Sequence, residues 1–335
     1  MTKSEGSERL GRELVDWSDL RTFYAVATVG SMNAAAELLG VTQSAISKRV
    51  VQLESRLGAR LLERSPTGIQ LTSAGREALD HVATMMRASH ALENTLAGLE
   101  QRAQGDVKLW SNDGVLTYCI SPAVGPFLAE HPGLRLALLT DRYLPKQGPG
   151  YADVVVSYDQ PKSPELISIP LAMIHYCAFS SEDYLSTYGS PISLVDIAPH
   201  RILNHALYSQ QPGWKDKATE LMSLVHPMML TDCSAALLHA TAGGAGISVM
   251  PSYAARLDPR LVVLPLPPLA SVRLWLSYSA DARRVPRIRA TVDWLRDVFD
   301  RRQHPWFRDE FIPPSAFETS GAVTDASGSG LSRAI

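Results

Sequence analysis

Residues 31–49 of the chain read SMNAAAELLGVTQSAISKR, and this stretch decides the fold of the N-terminal region. Ser31 is a good N-cap for a short helix from Met32 to Leu39, and Gly40 suits a left-handed helix stop. Thr42 then caps a further helix from about Gln43 to Leu57. Two helices separated by a three-residue turn that contains glycine are typical of a helix-turn-helix.

The flanking sequence completes a winged domain around this pair. Apolar residues at three- and four-residue spacing predict a preceding helix from Asp19 to Val29. Residues 60–71, RLLERSPTGIQL, predict two short strands around a Pro/Gly turn, which would form a wing.

The helix at 43–57 has two separable faces. One is a core-facing apolar stripe of Ile46, Val50, Leu53 and Leu57. The N-terminal part of the other face carries Gln43, Ser44, Ser47 and Lys48. A helix that enters the major groove presents this part to the base edges.

Thr72 opens a long amphipathic helix that we predict to continue to about Gln104, over roughly 45 Å. Its apolar stripe is too long to be buried against one small winged domain. Pairing with the same helix of a second copy is the expected solution.

After Gly105 the sequence pattern changes to short apolar segments typical of strands, separated by helical or loop segments. This pattern predicts an α/β domain. The predicted strands cover 107–110, 134–139, 152–157, 173–179, 201–205, 227–230, 246–250, 261–264 and 272–278. A helix is predicted from Pro286 to Arg301, and the Ser-, Gly-, Ala- and Pro-rich end from Phe311 predicts disorder.

Composition is that of a globular protein: 45% of the 335 residues are hydrophobic and 20% are charged. No run approaches the roughly 18 apolar residues of a membrane helix. Residues 1–16 lack the apolar core of a secretory signal, so we expect a cytoplasmic protein without a membrane partner.

Charge and cysteines say less about function. The whole chain carries −2, whereas residues 17–75 hold six basic and four acidic side chains, a net +2 that permits DNA binding without indicating it. Cys119, Cys177 and Cys233 are far apart, which favours buried thiols over a redox-sensing pair and argues against zinc.

The N-terminal region closely resembles LysR-type transcriptional regulators in the order and spacing of its residues. The resemblance is carried by residues 31–49, 53–54 (LE), 57–58 (LG), 62–64 (LER) and 71–75 (LTSAG). Segments 105–109, 127–132, 152–156 and 242–251 resemble the effector domain of the same family, so the resemblance covers about residues 17–300. Pro145 to Gly150 replace a helix expected in the family.

The resemblance implies a winged helix-turn-helix head, a long linker helix and a periplasmic-binding-protein-like effector domain of two α/β subdomains with an inducer cleft between them. We expect an N-terminal extension at 1–16, the DNA-binding domain at 17–75, the linker and dimerisation helix at 76–104, the effector domain at 105–302 and a disordered tail at 303–335. Subdomain I would comprise about 105–168 and 269–302, and subdomain II about 169–268.

The resemblance also assigns roles on the DNA side. Gln43 can pair with adenine, Ser44 and Ser47 can contact bases or phosphate, and Lys48 or Arg49 can reach guanine or the backbone. Arg64 at the wing would bind phosphate or contact the minor groove. The full expected set for double-stranded DNA is Asn33, Thr42, Gln43, Ser44, Ser47, Lys48, Arg49 and Arg64.

Ligands of α/β sheets lie beyond the C-terminal ends of strands, often at helix N-termini. This indicates residues 111–113 after the first strand, 141–143 after the second, 204–205 after a later strand and 231–234 at the start of a helix. Within these segments the effector-binding candidates are Ser111, Asn112, Asn204, Thr231 and Cys233. Free N–H groups after Thr231 would favour an anion, although Asp232 would repel one. We interpret His205 as a half-buried strand-end histidine.

The expected function is therefore a small-molecule-responsive DNA-binding regulator that acts as a homodimer or homotetramer. An effector-independent regulator, an enzyme or transport-type binding module fused to a DNA-binding head, and an architectural DNA protein stay open as alternatives. The sequence shows no nucleophile elbow, zinc-protease or phosphate-loop motif, so we expect no catalytic residue, metal or cofactor.

Overall fold

Three short helices form the N-terminal head of the chain, which we describe from a computed structural model. They are α1 (Trp17–Val29), α2 (Met32–Leu39) and α3 (Gln43–Leu57). The described residues are 15–65, 68–97, 103–140, 152–161, 163, 165–208, 214 and 227–319.

Local caps explain why these helices begin and end where they do. The side chains of Ser31 and Thr42 accept hydrogen bonds from the first turns of α2 and α3, and Gly40 adopts φ 65° where α2 stops. Both predicted helices have the observed bounds. Helix α1 begins two residues before the predicted Asp19, because the Asp16 carboxylate accepts a hydrogen bond from Ser18 N–H at 2.7 Å.

The wing consists of the antiparallel strands β1 (Leu62–Ser65) and β2 (Gly68–Leu71). Helix α4 (Ser73–Ala97) follows at once, with the Thr72 hydroxyl accepting a hydrogen bond from Gly75 N–H at 2.9 Å. Gly75 lies so close to the Leu61 carbonyl that a Cβ there would clash with it. The head core includes Phe23, Ile46 and Leu53, none of which has exposed surface.

The prediction that the linker helix continues to Gln104 is wrong at its end. Ala103 and Gln104 are not helical, and residues 98–102 lie outside the described part of the chain. Gly105 donates its N–H to the Gly133 carbonyl at 2.9 Å and begins the next strand, so the chain already belongs to the sheet there.

The remainder forms an α/β domain around one mixed sheet. Its strands are β3 (Gly105–Ser111), β4 (Leu134–Leu139), β5 (Val154–Ser157), β6 (Leu166–Ser181), β7 (Ile202–His205), β8 (Pro227–Thr231), β9 (Ile247–Pro251), β10 (Leu261–Val263) and β11 (Ala270–Ser279). They are ordered β4-β3-β5-β11-β6-β9-β7-β8, and β10 pairs with β6.

Two long antiparallel strands join the two halves of this sheet. β6 pairs with β11 from Leu166 to Tyr176 and with β9 from Tyr176 to Phe179, while β11 also pairs with β5. Parallel strands flank them on both sides, β3–β4 and β3–β5 in the first half and β7–β8 and β7–β9 in the second. The predicted strand at 173–179 is thus only part of β6.

Within the described ranges, four further helices belong to this domain, and one of them, Ser234–Ala242, contributes to the wall of the cleft. They are α5 (Val124–Glu130), α6 (Glu182–Tyr188), α7 (Ser234–Ala242) and α8 (Pro286–Val298). Between β3 and α5 the chain makes a short helical turn (Asp113–Val115), a π-helical turn (Leu116–Ile120) and a 3-10 turn (Ser121–Ala123). π-helical turns often mark functional sites.

The predicted disordered tail at 303–335 is wrong for its first part. Residues 303–319 contain two 3-10 turns, Pro305–Phe307 and Pro314–Thr319, and pack onto the effector domain. Phe307 and Phe317 are each only 2% exposed, and the Asp309 carboxylate pairs with Arg273 and Arg301. Aromatic burial therefore outweighs the polar composition here, and residues 320–335 lie outside the described part.

Candidate DNA interface and effector cavity

The outward face of α3 exposes the polar side chains expected to meet DNA. Gln43, Ser44 and Lys48 are exposed, and Ser47 is half-buried beside them. Ile46 and Val50, on the opposite face, are buried in the head core. The helix is therefore held by its apolar face, and its N-terminal polar face is free to enter a groove.

The other expected DNA contacts occupy different positions. Thr42 caps α3 through a 3.3 Å bond from Ala45 N–H, and its hydroxyl lies 3.0 Å from that of Ser44. Asn33 is exposed in the first turn of α2, whereas Arg49 is half-buried. Arg64 lies in β1, opposite Ile69 of β2.

Two of the four acidic side chains in the head are used within the fold. Asp19 is 5% exposed and forms an ion pair with Arg56 at 3.2 Å. The Glu54 carboxylate accepts hydrogen bonds from the N–H groups of Leu61 and Leu62, at 2.8 and 3.1 Å. Lys48 is exposed on the same helix, whereas the Glu54 carboxylate of that helix is hydrogen-bonded to the wing. The exposed positive charge of Lys48 is suited to binding phosphate.

A cavity of about 50 Å³ lies where the two halves of the effector domain meet. It is bounded by the segment after β3, by the ends of β5 and β7, and by the N-terminal turns of α7. This is the position expected for a ligand of an α/β sheet.

Five tyrosines and His205 contribute to the cavity wall, and Trp214 packs behind them. Tyr208 stacks on His205 with ring centroids 4.8 Å apart, and Trp214 stacks on Tyr208 at 5.2 Å. Tyr176 meets Tyr208 edge to face at 5.3 Å and donates its hydroxyl hydrogen to the Tyr158 oxygen at 3.0 Å. Burial raises the pKa of Tyr176 and of Tyr208 well above the usual value, so both hydroxyls are protonated.

Four residues that line this cavity carry a buried polar atom without a hydrogen-bond partner among the described residues. The atoms are Asn112 Oδ1, the Tyr118 and Tyr253 hydroxyls and His205 Nε2. Burial raises the pKa of Tyr118 to about 12, and the nearby Asp113 charge adds to that effect. Buried polar groups are rarely left without a partner, so the four atoms indicate a place for a ligand.

One hydrogen bond between cavity-lining residues joins the two halves of the domain. The Asp113 carboxylate, after β3, accepts the backbone N–H of Ser234 at the start of α7, at 2.5 Å. The approach is close, since a Cβ at Gly114 would lie 2.9 Å from the Ser234 hydroxyl. The carboxylate therefore occupies the position at which an anionic ligand was expected.

The structure brings only one of the five effector-binding candidates to the described cavity wall, namely Asn112. Asp113, His205 and Ser234, from the wider indicated segments, line it as well, and residues 141–143 lie outside the described part of the chain. Ser111 is fully buried in β3. Asn204 precedes the cavity-lining His205, and neighbours in a strand point to opposite faces. The Thr231 hydroxyl accepts the Cys233 N–H at 3.1 Å, and the Cys233 side chain is exposed outside the described wall.

The cysteines and potential metal ligands offer no further site within the described ranges. Burial raises the pKa of both Cys119 and Cys177 to about 12, which makes them poor nucleophiles. Cys233 is exposed, contrary to the expectation that all three thiols are buried. No cluster of three or more potential metal ligands occurs in the described residues, and no described helix is long and apolar enough to span a membrane.

A winged helix-turn-helix joined by a long helix to a cleft-bearing α/β domain defines a DNA-binding regulator with a ligand-binding domain. Residues 17–76 match the family model described as bacterial regulatory helix-turn-helix protein, lysR family, and residues 100–300 match that of the LysR substrate binding domain. The chain belongs to the LysR family of transcriptional regulators.

Individual relatives agree over most of their length. The chain is 27% identical to the probable HTH-type transcriptional regulator LtrA of Klebsiella pneumoniae, over 84% of this chain and 94% of the relative. The full-length virulence activator AphB of Vibrio cholerae superposes with TM-score 0.57 at 18% identity, covering 84% of this chain and 98% of AphB. The structure of full-length CbnR with its target DNA superposes with TM-score 0.51 at 21% sequence identity. The match covers 84% of this chain and 99% of CbnR. At these identities the two structures support the fold alone.

Proposed function

We propose that this LysR-family regulator reads its operator through Gln43, Ser44, Ser47 and Lys48 of α3 and senses a small molecule in the cavity beside Asn112 and His205. The exposed N-terminal polar face of α3 carries the DNA assignment, since the opposite face is buried in the head core. Arg49, Arg64 and Asn33 are secondary candidates for DNA contact. Thr42 contributes mainly by capping the helix.

The operator test is footprinting of the full chain on its own upstream region, comparing wild type with Ser47→Glu. A carboxylate at this position would face phosphate or base acceptors, so we expect protection to be lost while the melting temperature is unchanged. Ser315→Glu adds the same charge at an exposed site in the effector domain and serves as the control. Equal protection by both variants would contradict the assignment to α3.

Self-association is the second part of the proposal. Met85 and Leu92 of α4 are 45% and 62% exposed, and they lie seven residues apart on one side of the helix. A second copy of α4 would cover them and place two heads on two half-sites. We expect Leu92→Glu to lower the mass measured by analytical ultracentrifugation. An unchanged mass would place the interface elsewhere.

We further propose that the protein works in the cytoplasm as a sensor without enzymatic activity. The cavity places aromatic walls and unpaired polar atoms around a small space, a setting for binding a molecule. The test is a thermal-shift screen of the full chain with cell metabolites, followed by analysis of each stabilising compound. Stabilisation with the compound recovered unchanged supports a sensor, whereas a converted compound would establish an enzyme.

A further inference from the structure

The N-terminus of α7 already holds a negative charge. This nine-residue helix begins at the cavity-lining Ser234, whose N–H is bonded to the Asp113 carboxylate. A helix N-terminus attracts one nearby anion through its dipole. Because Asp113 supplies that anion from the other half of the domain, a second carboxylate in the cavity would meet repulsion.

His205 offers a buried hydrogen-bond donor. The side chain is 4% exposed, and its Nδ1 accepts the Leu207 N–H at 3.3 Å. Burial lowers the pKa of His205, so the ring is neutral and its single proton lies on Nε2. His205 lines the cavity and its buried Nε2–H has no partner in the described chain, so an acceptor atom on the ligand would satisfy it.

Asn112 and Tyr118 supply the complementary groups. The Asn112 amide oxygen is buried without a donor among the described residues, so a ligand hydrogen would satisfy it. The Tyr118 hydroxyl, also unpaired there, can donate or accept. A fitting ligand therefore carries both an acceptor and a donor.

The described wall contains no counter-ion for an acidic ligand. Asp113 is the charged side chain in that wall, and no Lys or Arg accompanies it. Removing a carboxylate from water without a cation to pair it is strongly unfavourable. The size is also limited, because a cavity of about 50 Å³ is well below the roughly 150 Å³ that holds benzene.

We infer that the cavity takes a small uncharged molecule that carries a hydrogen-bond acceptor next to a donor, as a primary amide does, and that it rejects the corresponding carboxylate. The inference rests on the proposed function of this cavity as the effector site. An amide oxygen would accept from His205 Nε2–H, and its N–H₂ would donate to Asn112 Oδ1. The aromatic walls would cover the apolar part of the ligand.

An organic cation is the competing ligand class. Tyrosine rings and the Asp113 carboxylate would both attract an ammonium or amidinium group. Such a cation has no acceptor for His205 Nε2–H, however, and would leave that buried donor unsatisfied. The neutral ligand satisfies both the His205 Nε2–H donor and the Asn112 Oδ1 acceptor, which is why we prefer it.

Calorimetric titration of the full chain with two matched trios of probes tests this inference. Formamide, formate and formamidinium share one shape, and acetamide, acetate and acetamidinium extend it by one methyl group, so that both trios respect the small volume of the cavity. We expect the amide to bind at least about tenfold more tightly than either ion in a trio. Tighter binding of a carboxylate or of an amidinium, or no binding of any probe, would overturn the inference.

Two variants locate the binding and test its cause. His205→Phe keeps the ring stacked on Tyr208 and removes the donor, so amide affinity should fall about tenfold. Asp113→Asn keeps an acceptor for Ser234 N–H and removes the charge, so carboxylate affinity should rise. The control Asp183→Asn alters an exposed carboxylate in the first turn of α6 and should change neither. Amide affinity that survives His205→Phe would overturn the inference.

The Asp113→Asn result does not depend on whether His205→Phe folds, and a carboxylate affinity that stays unchanged in Asp113→Asn would itself overturn the inference. Operator footprinting is scored separately. A chain that protects its operator but prefers carboxylates in the cavity keeps the proposed function and loses this inference.

Discussion

The Glu54 carboxylate of α3 accepts the backbone N–H of Leu61 at 2.8 Å, and the same oxygen accepts Leu62 N–H at 3.1 Å. The helix proposed to read DNA is thereby joined to the first strand of the wing. Leu61 directly precedes β1 and Leu62 begins it, so the carboxylate satisfies the first two N–H groups of the wing. The orientation of the wing relative to the recognition helix therefore depends on one carboxylate.

We expect Glu54→Ala to destabilise the head by about 1–3 kcal/mol, because two part-buried donors lose their acceptor. Operator affinity should fall as well, since the wing is no longer fixed against α3. Urea unfolding and gel-shift titration measure the two effects. Glu37→Ala, which alters an exposed carboxylate of α2, is the control and should leave both unchanged.

Gly75→Ala should destabilise the head by a mechanism that involves no polar group. The added methyl group would clash with the Leu61 carbonyl and push the start of α4 away from the wing. We expect a loss of about 1–3 kcal/mol in the free energy of unfolding, typical of overpacking. Gly125→Ala is the matched control, since open space surrounds that α5 position and helix propensity there favours Ala by about 0.5–1 kcal/mol. Equal effects of the two substitutions would refute the steric explanation.

The sequence predicts the head well because its determinants are local. The observed bounds of α2 and α3 follow from the caps Ser31 and Thr42 and from a glycine stop, all within a few residues of the helix they limit. The cavity is different. Tyr118, Tyr158, Tyr176 and Tyr208 meet only through the strand order of the sheet, which short-range spacing does not reveal.

Two errors have identifiable physical causes. In β7, three of the four residues are buried, so no apolar–polar alternation indicates that His205 rather than Asn204 faces the cavity. In the C-terminal segment, Ser, Gly and Pro content predicted disorder, yet Trp306, Phe307 and Phe317 supply an apolar surface that packs on the domain. Those aromatic residues were the available signal.

Lys48→Ala tests the phosphate side of the DNA interface. If Lys48 neutralises one phosphate, its removal should make the plot of log affinity against log salt shallower by about 0.9. Affinity for unrelated DNA should fall by the same factor as affinity for the operator, because a phosphate contact carries no sequence information. Gel-shift titrations at several salt concentrations give the slope. Arg302→Ala removes an exposed cation of the effector domain and should leave it unchanged.

Stability of the effector domain should depend on the protonation of His205. Burial lowers its pKa, with the Asp113 charge opposing, so the unfolded chain binds this proton more readily than the folded protein. Stability is therefore complete above about pH 6.5 and falls as pH decreases from there toward the folded pKa, by at most about 1.4 kcal/mol per pH unit.

We expect His205→Gln to flatten this decline in urea unfolding measured between about pH 7 and 5. The control substitution Ser315→Ala, at an exposed position without a titratable side chain, should keep the slope of the wild type. An identical slope in His205→Gln and wild type would show that the ring titrates normally in the folded state.

Phe317→Ala tests whether the C-terminal segment is part of the effector domain. The side chain is 2% exposed, and its ring lies 5.3 Å from that of Trp306, which in turn stacks under the Arg256 guanidinium at 4.9 Å. Truncation should lower the free energy of unfolding of the effector domain by about 3 kcal/mol. The exposed neighbour Ser315, changed to Ala, should have no effect. Denaturant unfolding monitored by tryptophan fluorescence distinguishes the two, and equal stability of both variants would mean that the segment contributes nothing to the fold.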